Sequence, residues 1–129
     1  MDDMNAWCVD HHAKSGLTKA VLASTVTMAE AESAVLDFCT SFIPSPGTVP
    51  LAGNTVHVDK AFLREQMPRL HDFFHYRIVD VSTIKELGYR WFPDKMAKQP
   101  RKKMTHRAID DILESIEELK YYRQKLFIR

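Results

Sequence analysis

The sequence predicts an α/β domain, a short parallel sheet set among about five helices. Three observations predict it. Two apolar runs, "VPLAGN" at 49–54 and "RIVDVS" at 77–82, have the length and composition of strands. A helix-patterned segment lies between them, and strands joined through helices favour parallel pairing. Long segments at 27–42 and 103–122 carry apolar residues at helical spacing.

The 129 residues fit one domain, 1–129. A hydrophobic fraction of 45% and a charged fraction of 27% are those of an ordinary globular chain. The net charge of +1 gives no global pull toward nucleic acid, so such binding requires local patches. No run approaches the ~18–20 apolar residues of a membrane span. "MDDMNAW" is acidic and lacks the apolar core of a signal peptide. Cys8 and Cys39 are too few for a disulfide framework, and the simpler expectation is a reducing, intracellular compartment.

Residues 2–13 are a weakly patterned helix that ends before Gly16. Thr27 and Glu30 then form a T-x-x-E capping box, each side chain satisfying a free N–H of the other's backbone. Ala31, Ala34, Val35, Phe38, Cys39 and Phe42 follow at helical spacing. "IPSPGTVP" ends that helix. After the first strand, residues 59–67 are a helix that stops before Pro68. Residues 83–92 are helical after the second strand, and "FPDKMAKQPRKK" is a basic loop. The final helix, "KMTHRAIDDILESIEELKYY", has Ile109, Ile112, Leu113, Ile116 and Leu119 on one stripe. Two strands make a marginal sheet with unpaired edges, so the pattern predicts a sheet short of strands.

Several residues combine a structural use with a chemical one. Asp110 and Asp111 in a first turn stabilise the helix dipole by about 0.3–1 kcal/mol each, with Thr105 as N-cap. Either, beside His106, can also serve a catalytic site, and both stand about equally far from the apolar stripe. Asp59 follows a strand, where open α/β sheets bind ligands, but it also suits a helix N-cap. His75, Tyr76 and Arg77 precede the second strand, as a solvated turn or as phosphate-binding donors. Trp7, beside His11 and His12, is a core residue or a base-stacking one. Lys95, Lys98, Arg101, Lys102, Lys103 and Arg107 form a solvated loop or a phosphodiester-attracting patch.

"AWCVDHHAKSGLTKAV", "PLAGNTVHVDKAFL", "MPRLHDFFHYRIVDVSTIKEL", "RW" with a proline two residues on, and "HRAIDDILESIEELKYYR" occur in one order. Together they closely resemble the oligoribonuclease family, DEDD exonucleases with a catalytic histidine, from about Met4 to Phe127. The resemblance implies a ribonuclease-H-like fold, a homodimer and 3'→5' hydrolysis of very short RNA, dinucleotides above all. It implies two Mg²⁺ or Mn²⁺ ions, with Asp59 and Asp111 as metal ligands and His106 as general base in H-x-A-x-x-D. It implies Trp7 as a base-stacking residue and Thr55 and Ser82 as hydroxyls near the substrate. It also implies His75, Tyr76 and Arg77 as a cap on the 5'-phosphate, offered across the dimer. The compartment it implies is the cytoplasm, the mitochondrion or both.

The family's first motif, Asp-x-Glu followed by Met-Thr-Gly-Leu, does not occur in the 129 residues. The expectation is an N-terminally truncated exonuclease fold with about two strands, two of four carboxylates and little activity by itself. A non-catalytic dimerisation or short-RNA-binding module is the alternative. A third class, binding through the basic loop, predicts salt-sensitive affinity for long strands.

Overall fold

The computed structural model describes residues 5–100 and 108–127. Ten elements occur among them, in the order α1 (Ala6–Lys14), α2 (Leu17–Ala23), α3 (Met28–Thr40), β1 (Pro50–Gly53), α4 (Val56–Gln66), α5 (Pro68–Phe73), β2 (His75–Asp80), α6 (Val81–Trp91), α7 (Pro93–Met96) and α8 (Ala108–Lys125). The expected α/β class holds, with more helices than expected and two strands.

The strands pair in parallel, Leu51 with Ile78 and Gly53 with Asp80, and the register shifts between Pro50 and Leu51. Parallel pairing places both C-terminal ends, Gly53 and Asp80, on one edge of the molecule. α4 and α6 start directly from that edge.

Several boundaries differ from the sequence reading. The second strand runs 75–80, not 77–82, because the Asp80 side chain accepts from the Ser82 N–H and caps α6. α4 begins at Val56, so Asp59 closes its first turn rather than opening the helix. Pro68 does not leave a gap; it stands at the first position of α5, where a missing N–H costs nothing. Pro93 does the same for α7, inside the expected basic loop. Leu17–Ala23 is helical after Gly16, whose φ of 77° suits glycine. The Thr27–Glu30 capping box is present as expected.

The best-packed cluster joins Val81, Met96, Tyr122 and Leu126, with Ile84, Phe92 and Leu119 against it. It locks α6, α7 and the C-terminal half of α8 together. Gly88 sits where a Cβ would lie 2.7 Å from Met96 Sδ, so its bare backbone permits the approach of α7. Val56 at the start of α4 and Leu70 and Phe73 of α5 are buried as well. The buried Glu32 of α3 accepts from the Leu70 N–H at 3.1 Å.

The apolar stripe of α8 is not the docking face. Ile109, Ile112, Leu113 and Ile116 are exposed, and Leu119 alone of the five packs against the core cluster. Ser115, Glu118 and Tyr122 instead face the body, through hydrogen bonds to Asn54 and Gln99. The physical reason is that a two-stranded sheet presents too little apolar area to cover the stripe, whereas polar partners await the other face. Val35 and Phe38 of α3, and Phe42 just past its end, are likewise exposed. Among the described residues no helix is long and apolar enough to cross a membrane.

Candidate active site

The C-terminal edge of the sheet brings together Thr55, Ser82 and the turn of α4 that carries Asp59. Thr55, between β1 and α4, has φ 57° and ψ 30°, a left-handed conformation that a β-branched residue rarely adopts. Its backbone N–H is held by two acceptors, Asp80 Oδ1 at 2.9 Å and Ser82 Oγ at 2.8 Å. The Thr55 and Ser82 hydroxyls lie 3.1 Å apart. Ser82 also donates to Asn54 Oδ1 at 3.1 Å. Thr55 and Ser82 are thus brought together from turns 27 positions apart.

Asp80 is the charged centre of this network. Its Oδ1 accepts from Thr55 and Ser82 N–H, and its Oδ2 lies 3.5 Å from His57 Nδ1. Burial raises the carboxyl pKa, but the bonds from Thr55 and Ser82 outweigh that effect and hold it below the ordinary aspartate value. Asp80 therefore remains an anion that aligns backbone dipoles. Sequence reasoning missed it because the strand was extended through Ser82. The D-x-S spacing before a helical pattern was the available cue.

Asp59 is exposed in the first turn of α4. Its neighbour Lys60 reaches away from it, donating to the carbonyls of His75 and Tyr76 at 2.9 and 2.7 Å. Asp111 is exposed in the first turn of α8. Ser115, one turn on, donates to the Asp111 carbonyl at 2.7 Å and accepts from Asn54 Nδ2 at 2.8 Å. Asn54 Nδ2 also donates to Glu118 Oε2 at 3.0 Å. The turn holding Asp111 is thereby tied to the loop that leads into α4 and Asp59. At helical spacing Asp111 shares a face with Ser115, Glu118 and Tyr122, whereas Asp110 is rotated ~100° away. Asn54, Ser115 and Glu118 were not singled out in the sequence. Only their convergence gives them meaning.

His75, Tyr76 and Arg77 stand at the other end of β2. His75 and Tyr76 rings stack with centroids 4.4 Å apart, and the Arg77 guanidinium lies 5.3 Å from the Tyr76 centroid. Tyr76 is 74% exposed. From His75 to Asp80 the strand spans roughly 17 Å at ~3.3 Å per residue. The three side chains therefore form an outward stack, displaced from Thr55 and Ser82. Trp7 stacks on His11 of its own helix, centroids 4.1 Å apart, and is 55% exposed. α1 packs chiefly on α2.

His106 lies outside the described residues, as do Thr105, Arg101, Lys102, Lys103 and Arg107. Among the described residues no three His, Cys, Asp or Glu side chains converge on a possible metal position. Asp59 and Asp111 are hard oxygen donors of the kind Mg²⁺ and Mn²⁺ take. Two carboxylates are too few for a two-ion centre, so the described residues alone do not fit one.

An Exonuclease family model matches residues 1–119. Mitochondrial oligoribonuclease of Mus musculus is 54% identical over 127 residues, which cover 98% of this chain and 53% of the mouse protein. The Homo sapiens protein is 53% identical with the same coverage. Oligoribonuclease of Hydrogenovibrio crunogenus is 53% identical over 128 residues, 99% of this chain and 68% of the bacterial one. The chain thus spans about half the length of its mammalian relatives. With more than half of its positions identical to these relatives across nearly its whole length, the chain belongs to the oligoribonuclease family of exonucleases.

Proposed function

We propose that this chain carries part of a 3'→5' exoribonuclease site that hydrolyses very short RNA, dinucleotides above all, to mononucleotides. The observation that carries the reading is convergence at one sheet edge. Thr55, Ser82 and the first turn of α4 with Asp59 meet there, and Asn54 ties the Asp111 turn of α8 to the same edge. Asp59 and Asp111 are the proposed ligands for Mg²⁺ or Mn²⁺. His106 is the proposed general base, since a neutral imidazole can take a proton from the attacking water. Trp7 stacks on a base of the substrate, and Thr55 and Ser82 lie along it.

His75, Tyr76 and Arg77 are proposed to cap the substrate's 5'-phosphate from one protomer of a homodimer into its partner's site. Their displacement along β2 from Thr55 and Ser82 supports action on another site. The mitochondrial names of the mammalian relatives favour a mitochondrial location.

Two carboxylates hold a metal pair weakly, because ligand charge and count set affinity. The chain by itself is therefore proposed to turn over slowly or not at all. A second reading follows from the same observation, a module that binds short RNA or dimerises without catalysis.

One experiment separates these. The purified chain is incubated with a labelled diribonucleotide and Mn²⁺, beside D59N, D111N and H106A. Slow mononucleotide release that each substitution abolishes supports the exonuclease reading. Binding without release supports the second reading. Neither binding nor release overturns the exonuclease and RNA-binding readings, and a monomer in analytical ultracentrifugation overturns the dimerisation one.

A further inference from the structure

We propose that Asp80 is a positioning residue that clamps both strand-to-helix turns at the C-terminal edge of the sheet. It fixes the left-handed Thr55, and through Thr55 the first turn of α4 that carries Asp59. The role of Asp59 rests on the exonuclease reading above; the clamp itself rests on geometry.

Capping α6 would require only the bond from the Ser82 N–H, at 2.9 Å. The same Oδ1 also accepts the Thr55 N–H at 2.9 Å, from the other turn. The second oxygen lies 3.5 Å from His57 Nδ1, within the first turn of α4. One carboxylate, with its side chain 12% exposed, therefore meets the residue before α4, the first turn of α4 and the first turn of α6.

α4 needs this help. Thr55 stands at its N-cap but makes no side-chain cap bond, because its hydroxyl is turned toward Ser82 Oγ. A β-branched residue in the left-handed region is strained and persists only where its surroundings over-determine it. Here two acceptors on one N–H do so. Without the carboxylate, only Ser82 Oγ still accepts from that N–H, and the hold against relaxation toward negative φ weakens. α4 would then leave the sheet at another angle, shifting Asp59 relative to the turn that carries Asp111.

The test uses the full chain with D80A, D80N and a T55G background. Amide exchange of Thr55 reads the clamp directly. The expected result is exchange accelerated about tenfold or more in D80A, since a charge-assisted bond is lost. D80N keeps an oxygen in place and stays within about threefold of the parent protein. Affinity for 5'-phosphorylated diadenosine with Mn²⁺ reads the consequence. D80A is expected to weaken it about tenfold, and by less than about threefold in the T55G background, because glycine adopts positive φ without a clamp. A residue that merely caps α6 would give the same penalty in both backgrounds, and that result overturns the proposal. So does unchanged Thr55 exchange in D80A. If the parent chain binds no dinucleotide, the exonuclease reading fails while the exchange measurement still decides on the clamp. Should D80A not fold, D80S takes its place in the same comparisons.

Discussion

The Asn54 side-chain amide donates to the Ser115 hydroxyl at 2.8 Å, joining positions 61 apart in the chain. The same amide donates to Glu118 Oε2 at 3.0 Å. These bonds dock α8 on the end of β1 through its polar face. Asn54→Ala is expected to destabilise the chain by about 1–3 kcal/mol, the usual cost of leaving part-buried polar partners unsatisfied. Urea denaturation measures it. Any diribonuclease activity of the chain should fall with it, because the Asp111 turn loses its tie to the loop leading into α4.

Gly88 tests the core where α6, α7 and α8 meet. A Cβ there would lie 2.7 Å from Met96 Sδ and 3.1 Å from Leu126 Cδ1. Met96 is flexible but 1% exposed, so it has little room to yield. Gly88→Ala should therefore destabilise by about 1–3 kcal/mol through overpacking, despite the better helix propensity of alanine. A midpoint at or above that of the parent protein would show that the cluster repacks at no cost.

Asp80 makes stability depend on acid. Its folded pKa lies below the ordinary aspartate value of 3.8, burial being outweighed by the bonds from Thr55 and Ser82. A depressed carboxyl pKa contributes stability that is complete above the unfolded value. That contribution is lost as pH falls through the lower folded value. Stability curves for the parent protein and D80N should therefore converge at acid pH and separate above about pH 5. Parallel curves throughout would contradict this.

Arg77 lies over the exposed Tyr76 ring, which itself stacks on His75. If the stack caps a 5'-phosphate, Arg77→Ala should weaken binding of a 5'-phosphorylated dinucleotide by roughly 10–100-fold, the value of a charged hydrogen bond. Binding of the 5'-hydroxyl form should change far less. Calorimetry with both ligands gives the ratio, and equal losses would remove the phosphate from the interaction.

Much of this protein was legible in its sequence. Local chemistry specified the Thr27–Glu30 capping box and the two strands, because those signals depend on residues within one turn or one run. The family resemblance picked out Asp59, Asp111, Thr55 and Ser82 by residue order. Periodicity alone could not choose between Asp110 and Asp111, since both lie off the apolar stripe. It also pointed to Ile109, Ile112, Leu113 and Ile116 as a packed face, and they are exposed. Only the tertiary structure decided which side of α8 docks. That choice depends on what the rest of the chain offers. Here it is Asn54 at the end of β1 and the pocket around Met96, which engage Ser115, Glu118 and Tyr122. The left-handed Thr55 and its carboxylate clamp were equally invisible in the sequence, because their partners come from two turns that meet only once the strands pair in parallel.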